Sequence, residues 1–286
     1  MGFVGLGKMG CPMALRLIEA GFALKCYDGD PQRLAPLSQA GAVACAFVAD
    51  TVQDAEIVIT MLPDGDAVRQ VMLGEGSASS AMREGAFLAD MSSSAPLATR
   101  ELGRELEALG ISMIDAPVSG GVAKASDGSL AIMVGGQPEY VETARPVFEV
   151  MGNRIIHAGK LGSGHAVKAL NNYVSAAGLV AACEAVLVAS AFGVEPEKFV
   201  DILNASTGRN NSTELKMKPQ ILSEKFTSGF ALGLMSKDLS AAADLADKLG
   251  LPQSGMSSQA DLWAAALEMR GNGADHTEIF RFLQNA

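Results

Sequence analysis

Met1-Gly2-Phe3-Val4-Gly5-Leu6-Gly7-Lys8-Met9-Gly10-Cys11-Pro12-Met13 opens the chain. Its apolar first residues predict a buried strand that runs into Gly5-x-Gly7-x-x-Gly10. Met13, Leu17 and Ile18 then follow at helical spacing, and Gly21 stops the helix. A second strand is expected over Ala23–Tyr27, with Asp28 at its end, 18 residues beyond Gly10. Glycines at this spacing, between strand and helix and followed by an acid, are the signature of a dinucleotide-binding turn. Gly5 permits the tight turn, Gly7 admits a pyrophosphate to the backbone, and Gly10 lets helix and strand pack. The helix N-terminus faces the phosphates. Asp28 has acceptors for both ribose hydroxyls and would repel a 2′-phosphate, so NAD is expected ahead of NADP. Asp30 is a weaker rival for that role.

Outward from this stretch the alternation of strand and helix continues. Strands are expected over Glu56–Leu62, Ala86–Asp90, Ile111–Asp115, Leu130–Val134 and Arg154–His157. In an open parallel sheet ligands lie off the carboxyl ends of the strands, which makes Leu62, Pro63 and Ser93 candidate cofactor contacts. Ala116-Pro117-Val118-Ser119-Gly120-Gly121 follows another strand end. Ser119, Gly120 and Gly121 would leave backbone N–H groups free to converge on a substrate carboxylate.

Gly162-Ser163-Gly164-His165-Ala166-Val167-Lys168-Ala169-Leu170-Asn171-Asn172 begins an Ala-, Val- and Leu-rich run without proline up to Gly193. One long helix is expected over 164–192. Lys168 and Asn172 share a face of it, an expensive pairing on an apolar helix unless something polar sits there. After it only helices are expected: Glu195–Asn204, Glu214–Leu222, Lys237–Leu249, Gln253–Arg270 and Thr277–Gln284, with Leu262, Trp263 and Leu267 in the core. The fold class is therefore α/β, a Rossmann-type doubly wound sheet domain over 1–160 and an all-α domain over 161–286, joined by the long helix.

Composition narrows the function. The chain has 286 residues, 49% of them hydrophobic, and a net charge of −10 with no basic run. Nucleic acid is not an expected partner, and the long helix, interrupted by Lys168, Asn171, Asn172 and Glu184, reads as core and not as a membrane span. Cys11, Cys26, Cys45 and Cys183 have no metal-type spacing, so no metal is expected, and they suit a reducing cytoplasm as small apolar residues. The start of the chain enters a strand at once, so no signal peptide is expected. The Ala/Leu-rich helical half suggests a homodimer or homotetramer.

Four stretches in order resemble the β-hydroxyacid dehydrogenase family, which includes 3-hydroxyisobutyrate dehydrogenase and tartronate semialdehyde reductase. Gly5 to Met13 is similar to its cofactor motif, with Leu6, Lys8 and Met9 carried along between the glycines. Asp115 to Gly121 is similar to its substrate loop. Gly162 to Asn172 is similar to its catalytic helix. Leu234-Met235-Ser236-Lys237-Asp238-Leu239, after Gly229-Phe230, is similar to the segment whose lysine closes over the nicotinamide end. The resemblance implies hydride transfer between the hydroxyl carbon of a small 3-hydroxy acid and NAD. Lys168 is then the proton carrier and Asn172 the positioning residue, with the carboxylate on Ser119, Gly120 and Gly121. Leu62, Pro63, Ser93 and Lys237 fall at cofactor-contacting positions, and His165 is structural. Lys124 and Ser126 depart from the family after the Ser-Gly-Gly loop, and Asn210-Asn211-Ser212 is more polar than its counterpart, which suits a more hydrophilic substrate tail.

The alternatives are a tartronate or succinic semialdehyde reductase using NADPH, and a non-catalytic cofactor-binding module. The much longer 6-phosphogluconate dehydrogenases put a His where Asn171 stands, and imine reductases lack the lysine.

Overall fold

β1 (Gly2–Val4) is buried at all three positions and pairs in parallel with β2 (Lys25–Tyr27) on one side and β4 (Ile57–Thr60) on the other. Between β1 and β4 the chain forms α1 (Gly10–Glu19), β2, α2 (Ala35–Gln39), β3 (Val43–Ala44) and α3 (Val48–Val52). After β4 come α4 (Gly65–Leu73), β5 (Phe87–Asp90), α5 (Pro96–Glu107) and β6 (Ser112–Asp115). The resulting order β3-β2-β1-β4-β5-β6 is the doubly wound dinucleotide-binding order. Alternate residues of one strand enter different cores, because successive side chains point to opposite faces. Ile57 and Ile59 join the cluster built on Phe3, Met13 and Leu17, while Val58 joins the one built on Val68, Leu88 and Leu106.

The computed structural model describes residues 1–285. They fall into two units, the first Met1–Lys168 and the second beginning at Ala169. The first unit is completed by β7 (Val118–Ser119), α6 (Gly121–Asp127), β8 (Leu130–Gly135), α7 (Pro138–Met151) and β9 (Gly152–Gly159). β8 runs antiparallel to β6 and β7 and parallel to β9. The Ser119-Gly120-Gly121 stretch is thus partly regular. Val118 and Ser119 pair with Ile132 and Ala131, and Gly121 already starts a helix.

α8 (Ser163–Ala191) has 29 residues. By length and composition it could cross a membrane, yet Ala176, Leu179, Val180, Cys183 and Val186 belong to the second unit's core, beside Trp263. Leu262 and Leu267 are only half-buried against that core. The second unit continues with α9 (Pro196–Ala205), a π-helix (Thr213–Leu222), α10 (Leu232–Lys248), α11 (Ser254–Arg270) and α12 (Ile279–Gln284).

Two helices differ from their expected form. The stretch over Glu214–Leu222 winds as a π-helix with Pro219 inside it. Proline has no N–H to donate and its ring crowds the carbonyl one turn back, strains that a wider turn relieves. α10 begins at Leu232, five residues before the expected Lys237, because Leu232 and Met235 are buried and outweigh the low propensity of Gly233.

Candidate active site

The glycine turn has the shape a dinucleotide needs. Gly5 has φ +97°, and a Cβ there would run into Met61 O and come within 2.9 Å of Leu62 Cδ2. A Cβ at Gly10 would collide with Gly5 O. Beside Gly7 the space is open, with only Arg33 Nη1 at 3.8 Å. Met9 caps α1 without a side-chain acceptor, and the first turn holds no acidic residue. The helix N–H groups and dipole are therefore offered to an anion, and these residues fit an NAD(P) pyrophosphate. Leu6 is buried, Met9 half-buried and Lys8 exposed.

Asp28 ties the turn to the end of β2. Its Oδ2 accepts from Leu6 N at 2.6 Å and its Oδ1 from Asp30 N at 2.8 Å. A carboxylate offers about four acceptor positions, so two such bonds leave capacity for a ribose hydroxyl. Arg33, which the sequence did not single out, lies 3.6 Å from Asp28 and 3.4 Å from Asp30. Asp30 caps the 3₁₀ turn at Gln32 N. Its own carboxylate is thus committed locally, and Asp28 is the better placed of the two rivals.

The other strand ends converge on the start of α8. Leu62, half-buried, donates its N–H to Ser92 Oγ at 2.9 Å, while Pro63 is exposed and Ser93 half-buried. Asp90, at the end of β5, accepts from Thr60 Oγ1, Ser92 N and Ser94 Oγ. Asp115, at the end of β6, accepts from Gly162 N and His165 N, both at 2.7 Å. That carboxylate caps α8 from a strand 47 residues earlier. Burial pushes its pKa above the usual carboxylate range, against the opposing pull of the His165 charge and of the two N–H donors. Gly164 is required here: a Cβ would strike Met133 O and come within 2.9 Å of Asp115 Oδ2.

His165 is buried in the same network. Its Nε2 lies 3.0 Å from Ser92 O and its Nδ1 2.8 Å from Thr99 Oγ1. A carbonyl only accepts, so Nε2 carries a proton. The ring holds the loop containing Ser93 against the first turn of α8, as its structural reading implies.

Lys168 ends the first unit and is 8% exposed. Asn172, one turn on in the second unit, is 7% exposed. Its Nδ2 donates to Asp238 Oδ2 at 2.6 Å, and its Oδ1 receives Asn171 Nδ2 at 3.2 Å. Asp238 is buried on α10 beside the half-buried Lys237. Its pairing with Asn172, across 66 residues, was not foreseen. The signal was present, since Asp238 follows Lys237 within the quoted motif. Ser119 is half-buried, and Gly120 (φ +141°) caps α6 with the Lys124 side chain folded back against it. Among the departures noted in the sequence, Asn210 Oδ1 accepts from Ser212 N and Thr213 N and so starts the π-helix.

A doubly wound sheet with this glycine turn and strand-end acid defines a dinucleotide-dependent enzyme. Residues 1–159 match the family described as the NAD binding domain of 6-phosphogluconate dehydrogenase. Residues 162–283 match the one described as the NAD-binding domain of NADP-dependent 3-hydroxyisobutyrate dehydrogenase. The chain is 37% identical to 2-(hydroxymethyl)glutarate dehydrogenase of Eubacterium barkeri, over 91% of this chain and 87% of that one. It is 36% identical to 3-sulfolactaldehyde reductase of Escherichia coli, over 87% and 84%. The structure of 3-hydroxyisobutyrate dehydrogenase of Mycobacterium tuberculosis with L-serine superposes with a TM-score of 0.91 at 32% identity, covering 99% of this chain and 98% of that one. An imine reductase of Myxococcus stipitatus, at 18% identity and a TM-score of 0.68, shares the fold alone. The chain belongs to the β-hydroxyacid dehydrogenase family, and it is an NAD(P)-dependent enzyme acting on a CH–OH group.

Proposed function

We propose that the protein interconverts a small 3-hydroxy acid and its semialdehyde, with NAD preferred to NADP. The bound nicotinamide supplies or accepts the hydride. Gly5, Gly7 and Gly10 receive the pyrophosphate between them, Leu6, Lys8, Met9, Leu62, Pro63 and Ser93 line the cofactor, and Lys237 contacts its nicotinamide end. Ser119, Gly120 and Gly121 hold the substrate carboxylate through N–H groups and the Ser119 hydroxyl. Lys168 Nζ takes the hydroxyl proton in oxidation and returns it in reduction. Asn172, its amide fixed by Asp238, orients the substrate hydroxyl.

The observation that carries this reading is the placement of Lys168. Lys168, 8% exposed, stands on a helix whose first turn is clamped by the Asp115 and His165 hydrogen bonds. A long, flexible side chain on a fixed backbone can hold a proton at one place. The test is NAD reduction with 3-hydroxyisobutyrate, L-serine, glycerate, threonate and 4-hydroxybutyrate. Turnover of 4-hydroxybutyrate alone would exclude a 3-hydroxy acid.

NAD preference rests on Asp28, whose charge also holds Arg33. Asp28→Arg should weaken NAD and improve NADP, as a repelling carboxylate becomes a phosphate partner. A wild type already better with NADP would overturn this assignment.

A homodimer or homotetramer is supported by α8. Val167, Val174 and Val188, and Phe192 just beyond, are all exposed, Phe192 at 88%. Exposed large apolar side chains along one helix are what a subunit interface covers. A monomer mass by light scattering at micromolar concentration would refute it. The four free thiols, three of them buried, suit the cytoplasm, which cell fractionation tests.

A further inference from the structure

The π-helix carries a lysine that the proposed chemistry does not use. Lys216 is half-buried, and its ammonium has one hydrogen bond, a long one of 3.4 Å to Ser175 Oγ. Among the described residues no carboxylate lies within 4.0 Å of it, whereas Lys218, two residues on, is paired with Asp201 at 2.6 Å. Asp275, whose negative charge Lys216 feels, is already engaged by Gly229 N, Ser228 Oγ, Thr277 N and Thr277 Oγ1. A half-buried cation with no carboxylate in direct contact among the described residues is costly, and it is conspicuous in a chain of net charge −10. Burial also lowers the Lys216 pKa, a penalty that a bound anion would remove.

The position of Ser175 gives the cation its place relative to the chemistry. Lys168, Asn172 and Ser175 follow the i, i+4, i+7 face of α8. A rise of about 1.5 Å per residue sets Ser175 about 4.5 Å beyond Asn172 along the axis. That is the span of a short acid tail leaving a carbon held at Asn172. The face carries no acid: the one carboxylate of α8, Glu184, is exposed and lies nine residues further on.

We propose that Lys216 and Ser175 form a subsite for a second, distal oxyanion on the substrate, so that the preferred 3-hydroxy acid is a dianion. The subsite rests on the assignment of Asn172 to substrate positioning. Lys216 Nζ donates charge-assisted hydrogen bonds to the distal group and Ser175 Oγ donates the third. Carboxylate and sulfonate tails share this chemistry.

The test uses three 2-(hydroxymethyl) acids that differ only in the tail: methyl (3-hydroxyisobutyrate), carboxylate (2-(hydroxymethyl)glutarate) and sulfonate. For the wild type, kcat/KM for a charged tail should exceed that for methyl by about tenfold or more, through KM. The better of the two charged tails identifies the anion. Lys216→Met should bring the ratio toward one, and Lys216→Arg should keep most of it. A wild-type ratio near one, or a ratio that survives Lys216→Met, overturns the subsite while the dehydrogenase assignment stands. If none of the three acids is oxidised although NAD binds, the choice of 2-(hydroxymethyl) acids as substrates fails by itself. Calorimetric titration of the enzyme–NADH complex with glutarate then decides the subsite separately. Affinity about tenfold weaker in Lys216→Met supports it, and equal affinity overturns it.

Discussion

Two polar clusters touch α8, and they are finished to different degrees. At its start, Asp115, Asp90, His165, Thr99 and Ser92 use one another's donors and acceptors. Further along, Lys216 meets Ser175 through one long bond and, among the described residues, has no carboxylate in direct contact. A buried network with every group satisfied is rigid and specifies one arrangement; a half-satisfied one costs free energy. The first cluster therefore reads as a clamp that fixes a backbone, and the second as a place completed by a ligand. Both contain ionisable side chains, fully buried in the first cluster and half-buried at Lys216. Their partners, and not their residue types, distinguish them.

The comparison is most exposed to failure at Lys168, which the clamp serves. Lys168→Ala should lower kcat by roughly 10²–10⁴-fold, the loss expected for a general acid–base. Cofactor affinity, measured by fluorescence quenching, should change little. Lys168→Arg should not rescue, because a guanidinium keeps its proton near neutral pH. A variant without this amine that kept wild-type turnover and pH profile would place the proton carrier elsewhere.

Breaking the clamp comes next. Asp115→Ala leaves the Gly162 and His165 N–H groups without their acceptor. Unfolding in urea should show a loss of about 2–4 kcal/mol, and kcat should fall more than KM rises. A stability loss with unchanged kcat would make Asp115 a structural cap that does not position Lys168.

His276, in the second unit, resembles the unfinished cluster. It is 3% exposed, and its Nε2 has no partner among the described residues. Burial, reinforced by the Lys216 charge, drives its pKa from the usual range to about 4. The unfolded chain then binds a proton that the folded one refuses. Stability should be fully present above about pH 6.5 and fall as pH drops toward about 4, by at most roughly 3 kcal/mol. His276→Asn should flatten that part of the curve in chemical denaturation at pH 7 and pH 4.5. Parallel curves would mean the imidazole protonates in place.

Ser175→Ala should do least. A neutral hydroxyl contributes roughly 0.5–1.5 kcal/mol, so KM for a charged-tail substrate should rise severalfold and unfolding should barely change. A large stability loss would sharpen the comparison in the other direction, showing that Ser175 and Lys216 belong to a structural contact.

Much of the first unit was legible because its chemistry is local. The Gly5–Gly10 turn is written in consecutive residues, as each glycine answers a steric demand of its own neighbourhood. Strand ends were displaced by a residue or two, as at Glu56–Leu62, where pairing is limited to Ile57–Thr60. The kink from strand to helix across Ser119, Gly120 and Gly121 was less legible, because pairing of Val118 with Ile132 depends on a strand not yet formed. The π-helix was missed because helical periodicity does not separate a wide turn from a normal one within ten residues.

By itself the sequence determined the doubly wound sheet, the dinucleotide turn with Asp28, and the shared helix face of Lys168 and Asn172. All of these follow from spacing along one strand, turn or helix, where covalent geometry fixes who is near whom. Only the tertiary structure decided that Asp115 caps α8, that Asn172 is held by Asp238, and that Lys216 lies beside Ser175. Those pairs are separated by 47, 66 and 41 residues. Over such distances side-chain type does not reveal a partner. Long-range packing determines which buried charges are satisfied and which are left open to a ligand.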